Sequence, residues 1–273
     1  MSLRSLRTAL GSGPAVSPFL VLGDPTPELS VELARAAVAA GAGMLEIGFP
    51  YSDPVADGPA IQAAAGRALA RGTSTRSAFQ VLGRIASACP GVPLNLLVSG
   101  NLVHRTGYER FTGAATDAGA STLLVPDIPI DEATPLRRAC RRSRLGHVEL
   151  AGPLTPAPRL RRLAAASRFL YLAGFQGVTG VRAAGFDGVL DRVAEVREIT
   201  DVPVCLGFGL SSRDQIVRAF EAGARIAVVG SHLARVVGSH LARVVGTLYG
   251  TPADADRLVA GYRSAVLRLT SNG

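Results

Sequence analysis

Short, continuously apolar runs alternate along the chain with longer segments in which apolar residues recur at helical spacing. Runs that are apolar throughout are typical of parallel strands buried on both faces. Eight such runs are candidate strands: Phe19–Leu22, Met44–Gly48, Leu94–Val98, Thr122–Val125, Val148–Leu150, Phe169–Leu172, Val202–Leu206 and Ile226–Val229. The segments between them predict amphipathic helices. Examples of these helices are Leu29–Ala40, Ala60–Ala70, Tyr108–Ala118, Val189–Ile199 and Arg213–Ala222.

The joints between helices and strands are short and repetitive. Ala-Gly-Ala occurs at residues 40–42, 118–120 and 222–224, each time between a predicted helix and a predicted strand. Glycine just past a helix suits the left-handed conformation that ends it. Eight strand-then-helix units predict an α/β fold, a single-domain (β/α)8 barrel over residues 1–273, with 1–17 as an N-terminal extension or helix.

The composition excludes several mechanisms. All 29 basic residues are arginine, so this chain has neither a Schiff-base lysine nor a phosphate-loop lysine. The net charge of +8 suggests nucleic-acid binding, with arginines concentrated at residues 137–144 and 159–168. Because neither stretch contains an aromatic residue to stack on bases, we expect solvated helix faces instead.

Cysteine usage and hydropathy favour a cytoplasmic protein without a membrane span. Cys89, Cys140 and Cys205 form no C-x-x-C pair, so neither a disulfide framework nor a zinc site is indicated. The histidines likewise suggest no metal site. Glycines and prolines interrupt the mildly apolar start, which argues against a signal peptide.

Glycines follow the last three predicted strands, where the active sites of α/β barrels lie. Backbone amides at a glycine can approach a ligand closely, and a serine at a helix N-terminus adds a hydroxyl donor. We therefore predict a phosphate site at Gly180, Gly209, Gly230 and Ser231. The alternative for each glycine alone is an ordinary turn.

Carboxylates in unusual positions are candidates for catalysis. Glu46 interrupts the apolar run at residues 44–49, where burial would raise its pKa toward the range that a general acid or base needs. The alternative is a structural carboxylate bonded to backbone amides. Asp57 lies in a Gly/Pro-rich loop, where aspartate is ordinarily a turn former, and Asp24 and Asp53 are assigned structural roles. Glu149 could face the barrel interior or contact arginines outside it.

Residues 45–62, Leu-Glu-Ile-Gly-Phe-Pro-Tyr-Ser-Asp-Pro-Val-Ala-Asp-Gly-Pro-Ala-Ile-Gln, closely resemble the signature of the tryptophan synthase alpha chain family. The resemblance continues in order through Gly23-Asp24-Pro25, Asn101, Asp127-Ile128-Pro129, Gly177-Val178-Thr179-Gly180, Gly207-Phe208-Gly209 and Gly230-Ser231. It implies a (β/α)8 barrel that cleaves indole-3-glycerol phosphate into indole and glyceraldehyde 3-phosphate, without a cofactor on this chain.

The resemblance also implies roles for individual residues. Glu46 would move protons, and Asp57 would hold the indole N–H and stabilise the cation formed on ring protonation. The implied substrate-binding residues are Phe19, Leu97 and Leu124 in the indole pocket, Tyr171 and Thr179 near the substrate, and Gly180, Gly209, Gly230 and Ser231 at the phosphate. The implied partner is a beta chain carrying pyridoxal phosphate; nucleic-acid and membrane partners are not expected.

Two departures from the family pattern leave alternatives open. Ser99 stands where the family often has tyrosine, and residues 173–176 read Ala-Gly-Phe-Gln where many members carry serine and a basic residue. The alternatives are a stand-alone lyase that releases free indole, or a non-catalytic phosphate-ligand-binding barrel with a regulatory role.

An octapeptide, Ser-His-Leu-Ala-Arg-Val-Val-Gly, occurs twice in tandem at 231–238 and 239–246. Eight residues advance a helix about 80° beyond two turns, so the second copy cannot present the same face. We assign the phosphate to the first copy because Gly230-Ser231 directly follows the eighth strand. The repeat either extends the eighth helix or bulges out at Gly238.

Overall fold

The computed structural model describes residues 6, 8, 10, 11, 13–54, 57–174, 185–207, 209–243 and 252–271. Eight parallel strands pair in chain order and close into a barrel, because β8 pairs with β1. The strands are β1 (Ala15–Val21), β2 (Leu45–Gly48), β3 (Leu94–Leu97), β4 (Thr122–Leu124), β5 (Gly146–Ala151), β6 (Leu170–Ala173), β7 (Val204–Gly207) and β8 (Ile226–Val229). The predicted single-domain (β/α)8 barrel is confirmed.

Eleven helices are described around the barrel. They are α1 (Pro27–Ala39), α2 (Pro59–Ala70), α3 (Thr75–Ala88), α4 (Gly100–Thr106), α5 (Tyr108–Asp117), α6 (Thr134–Arg142), α7 (Ala157–Ala166), α8 (Gly185–Ile199), α9 (Arg213–Glu221), α10 (Ser231–Arg243) and α11 (Pro252–Thr270). The five helices given above as examples of the predicted amphipathic segments are all present. The largest difference is in α8, which begins at Gly185 rather than Val189. None of the described helices is long and apolar enough to cross a membrane.

The first strand is the main correction to the predicted boundaries. β1 begins at Ala15 rather than Phe19, so the range 1–17 contains its first three residues. Pro18 lies within the strand, although proline cannot donate to a ladder. The strand tolerates it because residues 15–18 pair with β8 while residues 19–21 pair with β2.

Alternation along each strand divides the apolar residues between two layers. On β2, Leu45 and Ile47 belong to the cluster that packs between the strands and the surrounding helices. Glu46, between them, faces the barrel interior, where it lines a cavity with Phe19 and Tyr171. A continuously apolar strand therefore supplies both layers, and a charged residue on such a strand points into one of them.

The joints and the duplicated octapeptide follow the sequence pattern. Gly41, Gly119 and Gly223 have φ angles of 90°, 92° and 104°, the left-handed conformation predicted for the Ala-Gly-Ala joints. Helix α10 passes through Gly238 without a bulge and packs against α2 and α11. Within the described residues, the second copy continues the eighth helix from Ser239 to Arg243.

Candidate active site

A cavity of about 190 Å³ lies at the carboxyl ends of the strands. It brings together eight of the eleven predicted site residues: Phe19, Glu46, Asp57, Leu97, Tyr171, Gly209, Gly230 and Ser231. Leu124 is buried in the same interior cluster as Phe19 and Tyr171 but does not line this cavity. Thr179 and Gly180 lie outside the described residues, so their predicted roles stay predictions.

Hydrogen bonds from the neighbouring strands hold the Glu46 carboxyl. Asn95 is its register partner on β3, and Asn95 Nδ2 donates to Glu46 Oε1 at 3.0 Å. The Tyr171 hydroxyl on β6 donates to Glu46 Oε2 at 3.2 Å. Behind them, Thr122 Oγ1 donates to Asn95 Oδ1 at 2.7 Å. The carboxyl is thereby fixed by side chains, which contradicts the alternative of a carboxylate bonded to backbone amides.

Burial raises the pKa of Glu46 to about 7. The hydrogen bonds from Asn95 and Tyr171 partly oppose this shift, and the nearby charge of Asp57 adds to it. A carboxyl with a pKa near neutrality can both give and take a proton at physiological pH. The raised pKa of Glu46 is thus compatible with the acid–base role that the sequence predicts for it.

The Tyr171 hydroxyl is available as a hydrogen-bond donor because burial raises its pKa well above the ordinary value. Its ring occupies space that a side chain on β7 would need. A methyl group at Gly207 would overlap the Tyr171 hydroxyl and ring. Gly207 is thus required for close approach between the two strands, and through Tyr171 it positions Glu46.

We expect Gly207→Ala to lower the kcat of the reaction that depends on Glu46 by about tenfold or more. The reason is that displacing a positioning group by about 1 Å slows catalysis. Gly83→Ala is the matched control, because no atom lies within 4 Å of a methyl group at that helical position. Steady-state kinetics of both variants would check the expectation. Equal activities would show that Tyr171 does not position Glu46.

Asp57 reaches the cavity from the loop after β2. Its N–H donates to Pro54 O at 3.0 Å and its carbonyl accepts from Gln62 Nε2 at 2.8 Å, so its backbone does form a turn. The side chain is only half-buried, and desolvation raises its pKa. No hydrogen bond to the carboxylate is found within the described residues, which leaves both oxygens available to a ligand.

One part of the remaining lining is apolar. Phe19, Ile61, Leu97 and Val228 provide apolar surface. A methyl group at Gly48 would lie 2.5 Å from Phe19 Cζ, so glycine there leaves room for the ring. The shape and composition suit a flat apolar ring on this side.

Another part of the lining, which includes Gly230 beside Phe19 and Ile61, is suited to an anion. Gly209 and Gly230 lie just beyond strands β7 and β8, and Ser231 is the first residue of α10. Free N–H groups at a helix N-terminus favour a phosphate. Arg235, one helical turn after Ser231, also lines the cavity. It is the one arginine among the described lining residues, so it supplies a full positive charge to this side.

Six residues that line the cavity were not predicted from the sequence: Ile61, Leu210, Ser211, Val228, His232 and Arg235. For Arg235 a signal was present, because residues four apart share a helix face and Ser231 was already placed at the site. Asn95 and Thr122 were missed too. Their signal was the polar residue in each apolar strand, but only the register places them beside Glu46.

The other predicted carboxylates lie away from the cavity. Glu149 is on the outward face of β5, near the charges of Arg137 and Arg159, which decides between its two alternatives. Asp24 accepts two hydrogen bonds from Arg67, at 2.7 and 2.9 Å, in agreement with a structural role. Ser99 donates to Asp127 Oδ2 at 3.0 Å and does not line the cavity.

Comparisons with known proteins point in one direction. The family model of the tryptophan synthase alpha chain matches residues 9–250. The alpha chain of Synechococcus sp. (strain CC9902) is 42% identical over 222 residues, which is 81% of this chain and 82% of the relative. That of Erwinia tasmaniensis is 37% identical over 92% of this chain and 94% of the relative. A chain of the tryptophan synthase α2β2 complex from Pyrococcus furiosus superposes with a TM-score of 0.81 at 29% identity, covering 94% of this chain and 98% of that chain.

Proposed function

The chain belongs to the tryptophan synthase alpha chain family, and from that premise we propose that its cavity cleaves indole-3-glycerol phosphate into indole and glyceraldehyde 3-phosphate. One observation carries the proposal. A buried carboxyl with a pKa of about 7, Glu46, lies in a cavity with an apolar side and a glycine- and serine-lined side. These match the proton chemistry, the indole ring and the phosphate of this substrate.

Glu46 would perform both proton transfers. Protonation of indole ring carbon C3 places a positive charge on the ring. Removal of the proton from the adjacent glycerol hydroxyl lets its electrons form the aldehyde, while the electron pair of the breaking C–C bond returns to the ring. One proton is given and one is taken, so a single carboxyl returns to its initial state in each turnover.

Asp57 would stabilise the charged ring. Its carboxylate is free to accept the indole N–H, which becomes more acidic when C3 is protonated. A hydrogen bond that strengthens as charge develops accelerates the reaction rather than merely binding the substrate. Asn95 and Tyr171 would keep Glu46 oriented toward the reacting carbon.

The phosphate would bind at Gly209, Gly230 and Ser231, with Gly180 as a further predicted contact, and Arg235 would provide the countercharge. Backbone amides alone distribute only partial charges, whereas a guanidinium forms charge-assisted hydrogen bonds to phosphate. Arg235 is thus the group through which the double negative charge of the phosphate would be recognised.

We expect Arg235→Leu to raise KM by about 10- to 100-fold, the effect of losing one charge-assisted hydrogen bond, with a smaller change in kcat. Arg243→Leu is the matched control, because Arg243 is the same residue in the second octapeptide, about 12 Å farther along α10. Steady-state kinetics would measure both. An unchanged KM for Arg235→Leu, or an equal increase for Arg243→Leu, would contradict this role.

We also propose a beta chain as partner and the cytoplasm as location. The Pyrococcus furiosus relative is described as mutually activated in an α2β2 complex. Because this chain has no lysine, a pyridoxal phosphate Schiff base would have to form on the other polypeptide. The three cysteines are free and buried, which is compatible with a reducing compartment.

Indole formation from indole-3-glycerol phosphate tests the proposal directly. The purified chain would be assayed alone and then with a tryptophan synthase beta chain from a relative. We expect slow release alone and faster release with the beta chain. Full activity without acceleration would indicate a stand-alone lyase, and no indole in either assay would favour a non-catalytic binding barrel.

A further inference from the structure

A second and larger cavity, of about 830 Å³, lies at the opposite end of the barrel from Glu46. It is bounded by helix α6, the end of α7 and the residues that lead into β5 and β6. In an α/β barrel this is the face of the amino ends of the strands, which is separate from the catalytic face. Its volume is in the range of small-molecule sites.

Arginine dominates the lining of this cavity. Five arginines contribute: Arg137, Arg141, Arg144, Arg162 and Arg168. Within the described part of the chain, only Arg162 among them forms an ion pair, with Asp131 at 2.5 Å. Neither aspartate nor glutamate is among the described lining residues. Four of the five arginines are solvent-exposed, and Arg137 lies near the Glu149 carboxyl. The lining still carries net positive charge, and a bound anion would relieve the repulsion.

Arg144 lines the cavity and has a strained backbone conformation. Arg144 has a φ of 58° and is the one non-glycine residue with positive φ in the described ranges. The corresponding positions after α1, α5 and α9 are glycines, namely Gly41, Gly119 and Gly223. Since this conformation disfavours any residue with a Cβ, glycine would fit better at 144 too. Arginine there gains nothing for the helix end and adds a charge to the cavity.

A buried polar atom at the cavity wall also lacks a partner. His147 is about nine-tenths buried, and no hydrogen bond to its Nδ1 is found among the described residues. Burial lowers the pKa of His147 to about 4, so the ring is neutral at pH 7. The Nδ1 atom faces Glu149 Oε1 at 3.7 Å, which is beyond hydrogen-bond distance, so the wall beside the cavity holds a buried polar atom that the described residues do not fully satisfy.

We propose that this cavity binds a small molecule carrying two or more phosphate groups. A single phosphate would engage two or three guanidinium groups, so five arginines fit a ligand with several anionic groups. Nucleic acid is less suitable, because no phenylalanine, tyrosine or tryptophan lines the described wall to stack on a base. A ligand that binds only the folded chain shifts the folding equilibrium toward it, so occupancy of this cavity would raise thermal stability.

Sodium tripolyphosphate is the probe, added in calorimetric titrations at low salt. We expect one molecule to bind per chain, with at least tenfold weaker binding for the pair Arg141→Gln and Arg168→Gln. The control pair, Arg138→Gln and Arg161→Gln, removes the same charge from outside the cavity and should change affinity less than twofold. Binding should persist in Arg235→Leu, which places it away from the catalytic cavity.

Arg144→Gly gives a test with opposite signs. Relief of the left-handed strain should raise the thermal midpoint without ligand, while loss of the charge should remove most of the increase that tripolyphosphate produces in the wild type. The proposal is overturned if tripolyphosphate at millimolar concentration neither binds nor shifts the midpoint. It is also overturned if the control pair weakens binding equally, or if an oligonucleotide binds where tripolyphosphate does not.

Discussion

Glu46→Gln is expected to lower kcat for indole release by about 10³-fold or more, because a glutamine side chain can neither give nor take the proton. The amide oxygen can still accept from Asn95, and the amide NH2 can donate to the Tyr171 hydroxyl oxygen, so the side chain should keep its place. Glu149→Gln is the matched control. Its carboxyl pKa is also raised to about 7 by burial, but it lies on the outward face of the barrel wall. Activity within twofold of wild type is expected for it.

The same Glu46 substitution should stabilise the fold at high pH. The carboxyl has a pKa of about 7 in the folded chain against an ordinary value of 4.5, so the folded state favours its protonated form. Its contribution to stability is complete below pH 4.5 and is lost as the pH rises through 7. Between pH 5 and pH 8 this carboxyl should cost the wild type about 2 kcal/mol, a cost that Glu46→Gln avoids. Urea unfolding at both pH values measures the difference.

An inactive variant that is also more stable at pH 8 would separate the two roles of this residue. A loss of activity accompanied by unfolding would leave the carboxyl as a structural group. Retention of near-normal turnover by Glu46→Gln would contradict the proposed proton transfers outright.

Asp57→Asn is expected to lower kcat by about 10²- to 10³-fold, because a neutral amide stabilises the protonated ring much less than a carboxylate does. Asp53→Asn is the control within the same loop, where the side chain is exposed and does not line the cavity. A binding measurement with indole-3-glycerol phosphate would accompany the kinetics. If Asp57→Asn changed only KM, the carboxylate would bind the substrate without stabilising the charged state.

The barrel could be predicted because its strands are apolar on both faces. Charged residues stand out on such strands, and that contrast identified Glu46 before its neighbours were known. The partners of Glu46 could not be predicted in the same way. Asn95 and Tyr171 lie 49 and 125 residues away in the chain, and only strand register and barrel closure bring them together.

Other differences have local causes. The start of β1 was predicted four residues too late, at Phe19 rather than Ala15. The strand accommodates Pro18 because residues 15–18 pair with β8 while residues 19–21 pair with β2. Arginine is abundant on the helices of this chain, so an arginine at position 235 does not stand out in the sequence. The structure was needed to place Arg235 in the cavity. Arg144 could not have been expected at all, because sequence patterns assign a left-handed helix end to glycine.

The most direct test of the account is a single-turnover reaction at pH 7 with the purified chain in excess over indole-3-glycerol phosphate. Indole and glyceraldehyde 3-phosphate would be quantified over time for wild type and for Glu46→Gln. The wild type should form equal amounts of the two products, and the variant should form almost none over the same period. Substrate that stays intact with the wild type, or equal product formation by both proteins, would contradict it.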